Sequence, residues 1–171
     1  MATLQDLFED QIKDLYSAEN QLLKAMPKVA KKISSEMLRK AVEKHKVETE
    51  GQVERLKKIA EGLEIKPTGK VCAAMKGLIE ECQEALEEHD QGPILDAALV
   101  ACMQRVEHYE ISGYGTARTL AEHLGNASAA KLLQQTLKEE SATDEKLTQV
   151  VERDVYPSAD TMSDEMEEAE A

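Results

Sequence analysis

Tryptophan is absent, phenylalanine occurs once and tyrosine four times, so aromatics make up only 3% of the chain. A sheet sandwich or barrel fills its faces with aromatic and β-branched residues, and that supply is missing. Proline occurs four times and glycine eight times in 171 residues, too few to punctuate the many short turns of an all-β fold. Cysteine is scarce as well. Cys72, Cys82 and Cys102 are odd in number and show no C-x-x-C spacing, so neither a disulfide framework nor a zinc knuckle is indicated, and such cysteines are more often small buried hydrophobes than reactive groups.

Basic charge is also short: 21 Lys and Arg stand against 34 Asp and Glu, a formal charge of -13. Such a chain repels phosphates and anionic membrane surfaces, so neither nucleic acid nor a membrane is an expected partner. No apolar run approaches the length of a membrane span, and the first ten residues, MATLQDLFED, lack a basic stretch followed by an apolar one. A soluble, unexported, cytoplasmic protein is expected. There is no glycine-rich phosphate loop, no G-x-S-x-G elbow and no Cys/His nucleophile arrangement, which disfavours nucleotide binding and hydrolysis.

What is present is Ala, Leu, Glu and Lys in a helical pattern. Thr3 is a cap for a first helix whose apolar positions, Leu4, Leu7, Phe8, Ile12, Leu15, Leu22, Met26, Val29 and Ile33, recur at a helical period. Pro27 should kink that helix or split off its last turn. Ser34 and Ser35 offer a cap for a second helix, and Glu64 to Lys70 is a breaker segment. A shorter amphipathic stretch, Val71 to Glu88, is placed to be part of the crossover that an antiparallel bundle needs between its second and third long helices. Pro93 opens the third long helix, which stops at Gly125 and Asn126, and the fourth runs from about Ala127 to Val155 before Tyr156 and Pro157. Residues 1–156 read as one helical domain. Residues 157–171 read as an acidic, disordered tail.

Each long helix carries acid on the stripe that should be apolar. The rows are Leu15, Glu19, Leu22 and Met26; Ala41, His45, Glu48, Gln52, Leu56 and Ile59; Met103, Glu107, Glu110, Tyr114 and Ala117; Leu133, Leu137, Glu140, Asp144, Leu147 and Val151. In each row the polar residues interrupt the middle, near the helix centres at residues 18, 49, 109 and 141. At a rise of 1.5 Å per residue these side chains would lie within about 3 Å of one level. A lone buried carboxylate costs several kcal/mol unless paired, protonated or bound to a cation. Carboxylates with an imidazole in a bundle core are the ligands of di-iron and di-manganese proteins, and hard oxygen donors with one histidine suit Fe, Mn or Zn. The candidate ligands are Glu19, His45, Glu48, Glu107, Glu110, Glu140 and Asp144. Glu107 and Glu110 remain alternatives for the primary ligand of the third helix.

Plainer readings exist for each residue. Arg105, Arg118 and Lys13 could pair with the acids, giving a buried ion-pair network in place of a metal site. His108 should point to another face, His123 complements the dipole of its helix end and His89 lies in a loop. Tyr16, Tyr109 and Tyr114 could support carboxylates from behind or simply pack. Gly113 and Gly115 are placed for close helix approach.

The segments DLYSAENQLLK (Asp14–Lys24), HKVETEGQVERL (His45–Leu56), QRVEHYEISGYGT (Gln104–Thr116) and EESATDEKL (Glu139–Leu147) resemble those of the YciF/YciE-type bacterial stress proteins, of the ferritin-like superfamily. The resemblance spans about residues 3 to 155. It implies an all-α ferritin-like four-helix bundle with a short extra helix in the crossover, a cytoplasmic homodimer, and a role in general stress responses. The superfamily pattern of one Glu on the first and third helices is met by Glu19 and by Glu107 or Glu110. Its Glu-x-x-His on the second and fourth is not met: Gly51 follows Glu48 and Thr143 follows Glu140 at the third position, with His45 and Asp144 as the nearest substitutes. Two functions follow as expectations. One is a metal-binding protein of di-iron or di-manganese type with a redox role toward peroxide, oxygen or Fe(II). The other is a non-catalytic dimeric stress or scaffold protein with a vestigial metal site.

Overall fold

The structure is a computed structural model that describes the backbone of residues 1–170 and the side chains of residues 1–164. It is all-α over these residues. Helix α1 spans Leu4–Ala30, α2 Glu36–Gly62, α3 Ala73–Glu88, α4 Pro93–His123, α5 Ala127–Val150 and α6 Tyr156–Glu170, with a π-helical turn at Val151–Val155 joining the last two.

Local chemistry sets the boundaries. Thr3 Oγ1 accepts from Asp6 N at 3.1 Å while Asp6 Oδ2 accepts from Thr3 N at 2.8 Å, so the first two orphan donors of α1 satisfy each other's residues in a capping box. Ser35 Oγ accepts from Leu38 N at 3.0 Å and Asn126 Oδ1 from Ala129 N at 3.1 Å, starting α2 and α5. Gly125, at φ +74, takes the left-handed conformation that ends α4. The turn between α1 and α2 is held from across the bundle. Asp96, 1% exposed on α4, accepts from Ser34 N at 3.0 Å, Ser34 Oγ at 2.6 Å and Ser35 N at 2.7 Å.

The short α1–α2 and α4–α5 links make two helical hairpins. In the assembled bundle α1 packs on α2 and α4, and α5 on α2 and α4. The connection from α2 to α4 must travel the length of the bundle, and α3 does so while packing on α4 and α1. The core is apolar at both ends. Phe8, Ile12, Leu15, Leu56, Ile59, Tyr114 and Leu133 fill one end, and Ile33, Leu38, Val42, Leu95, Leu99, Leu147 and Val150 fill the other. Between them lies a polar layer. Among the described residues no helix is long and apolar enough to cross a membrane.

Two expectations about proline need correction. Pro27 does not split off the last turn of α1, which runs unbroken to Ala30 although the ring removes the N–H that would bond the carbonyl of Leu23. Pro157 does not end the helical path. The backbone widens first, with Tyr156 N–H bonding Val151 O, which lets a residue with no N–H of its own follow, and α6 then carries the acidic tail to Glu170. Helix α6 thus includes residues 157–170 of the acidic tail, and Ala171 lies outside the described residues.

Candidate metal centre

The polar layer is built from one face of each long helix. Glu19 from α1, His45, Thr49 and Gln52 from α2, Glu107 and Glu110 from α4, and Thr136 and Glu140 from α5 are all buried, with Glu19, Glu110 and Glu140 at 0% exposure. On α2 the spacing of His45, Thr49, Gln52 and Leu56 keeps all four on the inward stripe. Thr49 Oγ1 donates to His45 O at 3.0 Å, which satisfies that hydroxyl within its own helix.

His45, Glu107, Glu110 and Glu140 each offer a ligand atom, and these atoms lie within 4.8 Å of one another. His45 Nε2 is 3.2 Å from Glu107 Oε1 and 4.0 Å from Glu140 Oε2. The proximity is not a hydrogen bond, because Nε2 has no partner in a bonding direction. His45 Nδ1 faces Thr143 Oγ1 at 3.4 Å. With Nδ1 carrying the proton toward Thr143, the Nε2 lone pair is turned on the carboxylates, the tautomer a metal ligand needs.

Neighbours fix the carboxylates from behind. Tyr114 O–H donates to Glu19 Oε1, and Gln52 Nε2 donates to Glu140 Oε1 and, at 3.3 Å, to Glu139 Oε2. Glu139 in turn is gripped by Arg55, whose Nη1 is 3.0 Å from Glu139 Oε1. These contacts leave Glu19 Oε2, Glu107 Oε2, both Glu110 oxygens and Glu140 Oε2 buried without hydrogen-bond partners. Each such atom costs about 1–3 kcal/mol, more when charged. Among the described residues no lysine or arginine is ion-paired with any of these four acids: Arg105 pairs with Glu81 and Arg118 with Glu122.

The electrostatics follow from that isolation. Burial, then the charge of Glu140, pushes Glu19 up to about 8 against the opposing bond from Tyr114. Burial also pushes Glu107 up to about 8, with Glu19, Asp144 and Glu48 adding repulsion. Glu110 and Glu140 are raised well above the usual carboxylate range, first by burial and then by neighbouring glutamates. Without a cation, burial and mutual repulsion favour protons on these carboxylates. A hard divalent cation meets the same need, and the orphaned oxygens with the free Nε2 form the oxygen-rich, single-histidine donor set that Fe, Mn or Zn accepts. The residues present fit a metal.

The structure does not bring every candidate into this group. Glu48 is half-buried and accepts from Lys44 Nζ at 2.7 Å; Asp144 accepts from Gln104 Nε2 at 3.0 Å, with exposed His108 Nε2 at 3.6 Å. Both ring the layer as outlying negative charges. Of the three tyrosines, Tyr114 alone touches a carboxylate of the layer; Tyr109 bonds Asp14 and Tyr16 is partly buried at one apolar end. Gln52 and Thr143 stand in the sequence reading without these roles, Gln52 on the inward row and Thr143 in place of a histidine, whereas Thr49 and the Arg55–Glu139 pair are absent from it. Gln52 was the detectable one, a polar residue on the stripe itself. Gly113 makes the expected close approach, since a Cβ there would meet Leu15 Cδ2 at 2.8 Å, whereas Gly115 faces open space.

Fold and site together define an all-α ferritin-like bundle with a buried histidine–glutamate cluster at mid-height. The chain belongs to the family described as domain of unknown function DUF892, whose profile matches residues 3–159. It is 47% identical over 161 residues to protein YciF of Escherichia coli (strain K12), covering 94% of this chain and 97% of that protein. The crystal structure of the E. coli stress protein YciF superposes with a TM-score of 0.84 at 48% identity, covering 88% of this chain and 95% of that one. YcfI from Rhodopseudomonas palustris matches at 0.82 with 41% identity over 86% of this chain and 94% of its own. A Xanthomonas campestris pv. campestris protein, at 19% identity and a TM-score of 0.77 over 94% of this chain and 99% of its own, shares the fold.

Proposed function

We propose that the mid-bundle layer binds one or two Fe or Mn ions, with Zn as a competitor, in a protein that acts on peroxide, oxygen or Fe(II) during stress. The observation that carries this reading is the set of buried, partnerless oxygens on Glu107, Glu110 and Glu140, gathered with His45 so that their ligand atoms lie within 4.8 Å of one another, together with the orphaned Oε2 of Glu19. His45, Glu107, Glu110 and Glu140 would hold the metal directly, and Glu19 would complete a second position beside Glu110. Tyr114 and Gln52 would orient Glu19 and Glu140, and Thr143 would fix the His45 tautomer. The apolar ends shield the layer from above and below. A bound Fe or Mn ion supplies one-electron redox and Lewis acidity toward a small oxidant. The stress role is supported by the likeness to YciF, which is itself described as a stress protein.

Elemental analysis of protein purified without chelator tests the reading. About one or more equivalents of Fe or Mn per chain is the expected result, falling at least tenfold in His45→Ala. Less than about a tenth of an equivalent of any of these metals after reconstitution overturns it.

A second reading has its own support. Gln52 already satisfies one oxygen of Glu140, Tyr114 one of Glu19, and the Glu-x-x-His histidines are replaced by Gly51 and Thr143. A protonated, vestigial layer in a non-catalytic scaffold would then be stabilised by combined Glu110→Gln and Glu140→Gln, whereas a metalloprotein would be destabilised. Both readings include a cytoplasmic homodimer, carried by the resemblance. Sedimentation velocity giving the mass of a single chain would remove the dimer.

A further inference from the structure

Beside the carboxylate layer, α1, α2, α3, α4 and α5 enclose a largely apolar cavity of about 60 Å³. His45 and Glu107 form part of its wall, and so do Cys82 of α3 and Cys102 of α4. Both cysteines are reduced, Cys102 buried and Cys82 half-buried. The third cysteine, Cys72, caps α3 elsewhere, with Met75 N at 3.4 Å and Tyr109 Oη at 2.9 Å from its sulfur. One turn beyond Cys102 the guanidinium of Arg105 places Nη1 3.9 Å from the Cys102 sulfur, and Glu81 holds that arginine at 3.7 Å. Two thiols from different helices thus border one cavity, with a cation beside one of them, the kind of setting in which a thiol is reactive.

We propose that Cys82 and Cys102 form a redox couple that a small hydroperoxide, entering the cavity they share with His45 and Glu107, converts to an intramolecular disulfide between α3 and α4. The Cys102 thiolate attacks the terminal oxygen of the peroxide; the S–O bond forms as the O–O bond breaks, and the departing alkoxide or hydroxide takes a proton. Sulfur loses two electrons to the peroxide and becomes a sulfenic acid. The Cys82 sulfur then attacks the Cys102 sulfur, the S–S bond forms, the S–O bond breaks, and hydroxide leaves with the Cys82 proton as water. Two thiols and one hydroperoxide give one disulfide, one alcohol or water, and one further water.

The division of labour between the thiols agrees. Hydrogen bonding from Cys82 and the charge of Arg105 draw Cys102 down to about 7 against its burial, while the same hydrogen bond pushes Cys82 up. Cys72 is shifted upward by burial. The attacking thiol is thus the one beside the arginine, and the resolving thiol keeps its proton until the second step. The thiols and Arg105 are not candidate metal ligands, although the cavity they border also touches His45 and Glu107.

The test uses the full-length reduced chain, once stripped with chelator and once reconstituted with Fe. Each is treated with one equivalent of hydrogen peroxide, then denatured and alkylated. Cys82 and Cys102 share the tryptic peptide 77–105, so the disulfide removes two hydrogens from that peptide and blocks alkylation there, while Cys72 remains alkylated. In Cys82→Ser a dimedone adduct should appear on Cys102, and in Cys102→Ser none should appear on Cys82. On unmodified chain, which avoids any folding effect of substitution, Cys102 should alkylate at least about tenfold faster than Cys72 at neutral pH. The proposal is overturned if peptide 77–105 keeps both thiols, if the cysteines cross-link only between chains, or if oxidation needs the reconstituted metal. Disulfide formation in a chain that fails to bind metal would sink the metal reading and leave this one standing.

Discussion

At the scale of single residues, position on the helix decides which acid matters. With about 100° per residue, His45, Thr49, Gln52 and Leu56 cluster within about 60° on α2, while Glu48 sits about 40° outside that arc, where Lys44 reaches it. A contrast follows. Glu107→Gln should weaken metal binding by about 10–100-fold, whereas Glu48→Gln should leave it within about threefold, as isothermal titration with Mn(II) would show. Sequence pattern placed His45, Glu107, Glu110 and Glu140 on the inward face; it could not separate Glu48 from Gln52, because a stripe drawn on an isolated helix has no sharp edge. Asp96 was invisible for another reason: its partners, Ser34 and Ser35, are distant in sequence and meet it only in the folded chain. Asp96→Ala leaves two backbone donors and a hydroxyl without their acceptor. Chemical denaturation should register a loss of about 2–4 kcal/mol with little change in metal affinity.

Elements were legible wherever a cap announced them. Thr3 and Ser35 marked their helix starts, and Gly125 with Asn126 marked both the end of α4 and the start of α5. Proline was less informative, because its effect depends on what the backbone does around it. Pro27 sits inside a helix that continues to Ala30, and the π-helical turn before Pro157 gives that ring room. The two glycines of α4 separate for a similar reason. Both cost helix stability, and only Gly113 has a neighbour that requires it. Gly115→Ala should therefore stabilise the bundle by about 0.5–1 kcal/mol, while Gly113→Ala, which drives a methyl into buried Leu15, should gain nothing or destabilise. Paired thermal melts distinguish the two.

For the whole molecule, the arrangement amounts to two apolar plugs separated by a layer of acids that the fold alone does not neutralise. Its pH dependence follows in sign. Glu19 and Glu107 titrate near 4.5 when unfolded and near 8 in the metal-free bundle, so below about pH 4.5 both states hold these protons. Between about 4.5 and 8 the unfolded chain releases them and the native chain keeps them, so stability falls as pH rises. Above about 8 the native groups ionise too, and the loss from them levels off. Across that window the metal-free protein should lose stability on the order of a few kcal/mol, read as a falling Tm. A bound cation replaces the protons and reverses the balance, because metal prefers the ionised carboxylates that higher pH provides. At about 100 times its Kd the metal adds roughly 2.7 kcal/mol, so Tm measured with Mn(II) should hold level or rise where the chelated sample falls. Two parallel falling curves would mean that the acids of this layer keep their protons and never exchange them for a metal.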